Sequence, residues 1–191
     1  MTVEQLISSC GEPYKSILRQ PQIDHIYKLL NTKILTHKNK PRQGNTRCEA
    51  VAIAYYILNN WDKNVLICVN KLSSGSEIIH LILDVIKLSN IGVKVQSENG
   101  NTIRFNNGCY LRMGRYDTPN NVAIGATYNW YIFSDFGSID EIDSKNIFDN
   151  LYPVVCAMKD AKLSILYYED NGFIKLLNRK MTIEKVLNSG G

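Results

Sequence analysis

Histidine is scarce in this sequence and cysteine is scattered. Its 191 residues hold three histidines, His25, His37 and His80, and five cysteines, Cys10, Cys48, Cys68, Cys109 and Cys156, an odd number with no C-x-x-C spacing. That pattern speaks against a cysteine–histidine metal site and against a disulfide framework, and leaves reduced thiols buried as small hydrophobes as the expectation. No apolar run approaches the roughly 20 residues needed to cross a bilayer. Met1-Thr2-Val3-Glu4-Gln5 lacks the basic and apolar regions of a signal peptide, so a soluble, intracellular protein with no membrane partner is expected. Charge of neither sign dominates: 22 basic against 18 acidic residues give a net +4, which permits contact with nucleic acid without demanding it.

What the chain does have is a globular composition, 45% hydrophobic and 21% charged, in a length suited to a single domain spanning 1–191 with no second domain after it. Ile23, Ile26, Tyr27 and Leu30 share one helical face after Pro21, which suits a first helical turn. Val65-Leu66-Ile67-Cys68-Val69, Trp130-Tyr131-Ile132-Phe133 and Lys162 to Tyr168 are continuous apolar runs of strand length, as expected of strands buried on both faces. Ser73-Ser74-Gly75-Ser76 is suited to cap a helix from Glu77 to Leu88. Val93 to Val95, Thr102 to Phe105 and Cys109 to Met113 predict short strands, the last two joined by an Asn-Gly hairpin turn at Asn107-Gly108. A helical stretch near Lys145 to Met158 contains Pro153, where a break is expected. Strands alternating with helices predict an α/β domain with a mainly parallel sheet.

The most informative stretch is Pro41-Arg42-Gln43-Gly44-Asn45-Thr46-Arg47. It lies between a candidate strand at Ile34-Leu35-Thr36 and a candidate helix from about Thr46 to Asn59, where an anion would meet a helix N-terminus. A phosphate loop needs backbone N–H groups, a lysine and a metal-holding hydroxyl. Gly44 and Thr46 supply the first and the last, whereas Asn45 stands in the lysine's place, with Arg42 and Arg47 as the nearest cations. An ordinary turn with a helix cap, on a solvated basic loop, is the competing reading. Hydrolysis also needs acids at the end of a neighbouring strand. Ser134-Asp135 supplies one, and Asp140, Glu141 and Asp143 follow as helpers or as the acidic start of a helix.

Several of these features, in this order, resemble the ATPase domain of the large terminase subunit, the DNA-packaging motor of tailed bacteriophages and related viruses. Leu18 to Asp24 is similar to that family's adenine-contacting segment, with Gln22 at the base-reading position. Arg42-Gln43-Gly44-Asn45-Thr46 is similar to its phosphate loop. Asn101 to Gly108 is like its strand and Asn-Gly unit, Ile124-Gly125 falls where it has Arg-Gly, and Trp130 to Phe136 where a strand ends in Asp-Glu. The resemblance implies a three-layer, P-loop NTPase-like domain without the nuclease domain, with Gln22, Gln43, Gly44, Asn45 and Thr46 around nucleotide, Asp135 and Arg42 as catalytic groups, and Thr46 and Asp135 on metal. The departures are a loop one residue short and without its lysine, Ser134 for the metal-holding Asp, Asp135 for the catalytic Glu, and no Ser/Thr coupling motif in Ile165 to Tyr168. Three readings follow. One is a catalytically degenerate pseudo-ATPase acting through binding, with no cofactor and with DNA or a packaging or virion protein as partner. Another is an active, divergent packaging ATPase using ATP and Mg2+. The third is a nucleic-acid- or protein-binding module without nucleotide. Each implies a location in host cytoplasm or on the virion.

Overall fold

The computed structural model describes residues 1–15, 19–116 and 127–189. Leu18 and Ile124-Gly125, to which the resemblance gave roles, lie outside the described residues. The chain opens with α1 (Val3–Ser9), α2 (Glu12–Lys15) and α3 (Gln20–Asn31), then β1 (Ile34–Lys38), α4 (Asn45–Leu58), β2 (Asn64–Val69) and α5 (Leu72–Ser89). Next come β3 (Val95–Asn99), β4 (Thr102–Phe105), β5 (Tyr110–Arg115), β6 (Trp130–Phe133), a 3-10 turn at Phe136–Ser138, α6 (Glu141–Ala157), β7 (Lys162–Tyr167) and α7 (Gly172–Ser189).

The seven strands form one sheet in the order β1-β7-β6-β2-β5-β4-β3. The first five are parallel, while β4 and β3 run antiparallel at the far edge. Side chains alternate across the strands, so β2 sends Val65, Ile67 and Val69 into a core with α1, α3, α4 and α5, and Leu66 and Cys68 into a second core with α6 and α7. These two cores make the three layers, and the parallel strands are apolar on both faces because both are covered. α4 is buried nearly all round, from Cys48 to Ile57 apart from half-exposed Tyr55. Among the described residues no helix is long and apolar enough to cross a membrane.

Four local expectations are corrected. α5 starts at Leu72, so Ser73 to Ser76 lie inside the helix and do not cap it. Gly75 lies close under β5 and β2: a Cβ there would stand 2.1 Å from Met113 Sδ and 3.0 Å from Val69 Cγ2, so a larger residue would have to displace the methionine side chain. α6 runs through Pro153. The carbonyl that proline frees belongs to Asp149, an exposed residue, where losing the helical bond costs less than it would in the core. β3 lies at Val95–Asn99, two residues beyond the Val93–Val95 run, because its pairing is set by the Gly100 turn into β4 rather than by hydrophobicity. Finally, four cysteines are buried free thiols as expected, but Cys156 is exposed on α6.

At the N-terminal ends of the parallel strands, Lys162 donates to the Leu30 carbonyl, with its ammonium 4.8 Å from the Trp130 ring centroid and 5.3 Å from that of Tyr56. Burial lowers this lysine to about 8. Trp130 in turn donates to Ser164 Oγ at 3.0 Å.

Candidate functional site

The C-terminal ends of β1 and β6 and the N-terminus of α4 meet at one place, as the strand-turn-helix pattern predicts. β1 extends through Asn39, whose N–H donates to the Tyr167 carbonyl at 2.6 Å. The chain then turns through Arg42 (φ 61°) and Gly44 (φ 74°), the N-cap of α4. Arg42 and Gln43 are exposed, and Thr46 is half-buried on the first turn.

Gln22 reaches this loop from α3. Its Oε1 accepts from Arg19 N–H at 2.7 Å and its Nε2 donates to the Gln43 carbonyl at 2.7 Å. A Cβ on Gly44 would stand 2.6 Å from that Nε2, so glycine is required both for the left-handed backbone and for the approach of Gln22. Asn45 is buried and turns its amide back to the Lys40 carbonyl at 2.9 Å. The residue in the lysine position therefore braces the loop from inside. Arg47 does not share the loop's mouth. It lines a separate hollow of about 420 Å³ with Tyr14, Leu81, Asp84, Lys87 and Leu88, between α2, α4 and α5.

One turn below Asn45, Glu49 is 2% exposed. Its Oε1 accepts from Asn39 Nδ2 at 3.2 Å and its Oε2 from Ser134 Oγ at 3.0 Å. Burial pushes this carboxyl up to about 7, against the opposing pull of the Ser134 and Asn39 hydrogen bonds. The side-chain amide oxygen of Asn39, Oδ1, is buried without a hydrogen-bond partner among the described residues. Nearby, Tyr168 is raised by burial first and by the Glu49 charge second. Tyr116, stacked on Phe133, donates to the Ser134 carbonyl at 2.5 Å.

Asp135 follows Ser134 in a left-handed conformation (φ 62°), half-buried, and burial raises its carboxyl. A non-glycine residue held there is a strained position of the kind found at functional sites. Asp140 is the N-cap of α6, accepting from Asp143 N–H at 2.9 Å. Asp140, Glu141 and Asp143 line an open hollow of about 770 Å³ at that helix start, so they serve α6 and do not join Asp135. Tyr128, Tyr131 and Tyr167 are buried core residues, whereas Tyr110 on β5 and Tyr168 after β7 are half-buried.

A magnesium–phosphate unit needs a cation beside the loop and carboxylates on the metal. In this chain the loop position carries a neutral amide already bonded to Lys40, and the strand end carries a hydroxyl already bonded to Glu49. Among the described residues, no group of three His, Cys, Asp or Glu side chains is placed to hold a metal ion. The donor set does not fit that unit. Two features escaped the sequence reading. Glu49 lay within a run taken simply as helix, although it is the single charge in an otherwise apolar stretch from Cys48 to Leu58. The other is a pair of imidazoles beneath the loop, His25 on α3 and His37 on β1, with ring centroids 4.2 Å apart.

No family model matches this sequence, and no curated protein matches it. Solved structures do. The ATPase domain of the large terminase of Thermus phage P74-26 matches with a TM-score of 0.62 and 12% identity, over 85% of this chain and 72% of that one. The large terminase of bacteriophage HK97 matches with a TM-score of 0.65 and 14% identity, over 97% of this chain and 42% of that one. The large terminase of another thermophilic bacteriophage, in complex with ADP, matches with a TM-score of 0.58 and 13% identity, over 78% of this chain and 39% of that one. At these identities the likeness establishes the fold, a three-layer, P-loop NTPase-like α/β domain of the kind found in phage large terminases.

Proposed function

We propose that, on a scaffold shaped like a phage terminase ATPase domain, this chain is catalytically degenerate and acts through binding, as a pseudo-ATPase of a viral genome-packaging system. The observation that carries this reading is the bond from Ser134 to Glu49. Where the resemblance calls for a carboxylate facing a metal, a hydroxyl faces inward to a carboxyl that burial keeps protonated up to about pH 7. The Gln22 bond to Gln43 supports the same reading, since the side chain expected to meet a base is engaged with the loop itself. The partner would be DNA or a packaging or virion protein. Calorimetry with ATP and magnesium, run beside a phosphate-release assay, tests the proposal. The expected outcome is no turnover above the blank; magnesium-dependent hydrolysis abolished by Asp135→Asn would overturn it.

A second reading, a divergent but active packaging ATPase, draws on the strained backbone and raised carboxyl of Asp135. It requires ATP to displace Gln22 from Gln43. In that reading Gln22 turns to the base, so Gln22→Ala is expected to weaken nucleotide binding, an effect the first reading does not require.

A further inference from the structure

Among the described residues, Asn39 Oδ1 is the only buried side-chain oxygen without a hydrogen-bond partner. Asn39 is 2% exposed, so the acceptor is cut off from solvent as well. An orphan of this kind is costly unless another state of the molecule brings it a donor.

A donor is close at hand. The other end of the same amide, Nδ2, meets Glu49 Oε1 at 3.2 Å, and a carboxyl that is neutral carries an O–H. Ser134 Oγ occupies Oε2 at 3.0 Å, which leaves Oε1 to hold the proton. An N–H facing Oε1 is the pairing that an ionised carboxylate asks for. A neutral carboxyl asks for the reverse, an acceptor facing its O–H. The two ends of a side-chain amide have nearly the same shape, so a half-turn about its last bond supplies that acceptor and leaves the backbone where it is.

The half-turn also moves Nδ2 to where Oδ1 stood. Tyr168, which follows β7, has its hydroxyl close to the amides of both Asn39 and Asn45, and offers Nδ2 an acceptor. The titratable groups that bear on Glu49 are Cys48 beside it on α4, Tyr116 after β5 and Tyr168, while Asp135 after β6 bears on both tyrosines. None is a cation. Among the described residues, α1, α3 and α5, which also pack on α4, bring no charge to Glu49. Ionisation is therefore met only by the two hydrogen bonds, and burial places the change of state at about pH 7.

We propose that Asn39 and Glu49 form a proton-operated latch under the loop. A neutral Glu49 donates its O–H to Asn39 Oδ1 while Nδ2 turns to Tyr168, and an ionised Glu49 accepts from Nδ2 as seen here. Solvent supplies and takes up the proton. Asn39 ends β1, Glu49 belongs to α4, and Asn45 braces the loop at the Lys40 carbonyl, so the latch ties the loop's two roots to the end of β7 in one protonation state and releases that tie in the other. It uses no nucleotide, and stands whether or not one binds.

The test is an NMR titration of the full chain from pH 5 to 9. The Glu49 carboxyl carbon and the Asn39 side-chain nitrogen should move with one shared midpoint near pH 7. Below it, the Asn39 NH2 protons should show cross-relaxation with the Tyr168 ring, and above it with the Glu49 side chain. Glu49→Gln, which offers an N–H at every pH, should hold the Asn39–Tyr168 contact throughout. If that variant does not fold, Tyr168→Phe serves instead. It removes a bond from the neutral state alone, and should lower the Glu49 midpoint by about half a pH unit. Amide exchange at Asn45 and Thr46, corrected for intrinsic rate, should be at least about twofold slower below the midpoint than above it. An Asn39 amide that keeps its Glu49 contact at every pH while the carboxyl titrates overturns the proposal. So does a midpoint unmoved in Tyr168→Phe, or a buried water found on Oδ1 with the amide fixed.

Discussion

Two buried titratable groups lie under the loop, and they are provided for in opposite ways. Glu49, on the α4 side, receives two hydrogen bonds, from Asn39 and Ser134. His25, on the α3 side, is 6% exposed and neither ring nitrogen has a partner among the described residues. Both are shifted toward their neutral forms, the acid pushed up to about 7 and the imidazole pulled down to about 4, in each case chiefly by burial, with His37 and Lys28 adding to the latter. The acid is held by its surroundings, whereas the imidazole is merely enclosed by them. The difference teaches which of the two the fold depends on: removing Glu49 strands two partners, and removing His25 strands none.

The largest expected effect is therefore on Glu49→Ala, which should lower unfolding free energy by about 3 kcal/mol, read from denaturant midpoints below pH 4.5. A loss under about 1 kcal/mol would mean that water takes over both bonds, and the contrast would fail. The pH profile comes next. Glu49 rises from its ordinary 4.5 to about 7 in the folded state, so its contribution is fully present below pH 4.5 and is lost as pH rises toward 7. His25 falls from 6.5 to about 4, so its contribution is present above pH 6.5 and is lost as pH falls toward 4. Each amounts to something on the order of 3 kcal/mol when complete. Between pH 4.5 and 6.5 the two slopes oppose each other, and stability should be nearly flat. Glu49→Gln should leave stability climbing with pH across that window and His25→Phe should leave it falling. Parallel profiles in the two variants would break the comparison.

His25→Phe should also gain about 1 kcal/mol at pH 7 by removing two unpaired nitrogens, provided the ring keeps its place beside His37. The smallest effect is expected of Gln22→Ala. It should cost under about 1 kcal/mol and instead speed amide exchange across Gln43 and Gly44, measured by NMR. Unchanged exchange would show that the loop holds its shape without the α3 side chain.

Much of this architecture was legible beforehand. Val65 to Val69, Trp130 to Phe133 and Lys162 to Tyr167 read as doubly buried strands because both sheet faces are covered, and Gly44 read as a strand-to-helix turn because a left-handed residue is needed there. β3 was misplaced because all five of its residues are exposed, leaving no hydrophobic alternation to read. At the site, sequence spacing located Gly44, Asn45, Ser134 and Asp135 correctly in one region. It could not show that Asn45 points inward, that Arg47 belongs to another hollow, or that Glu49 links α4 to the end of β6, since each depends on side-chain direction across elements far apart in sequence. The readable signal for Glu49 was its isolation: a single acid in a helix apolar on every side needs a partner.

The placement of Lys162 above Trp130 has a practical consequence. The protein carries two tryptophans. Trp61 is 73% exposed, and Trp130 is wholly enclosed, bonded to Ser164 and covered by an ammonium group. An ionic quencher should therefore silence only the first, leaving emission from the second as an optical report on the centre of the sheet. Deprotonation of Lys162 near pH 8 would alter that residual emission without any unfolding, so a fluorescence titration in alkali would follow a single amine through the light of its neighbour.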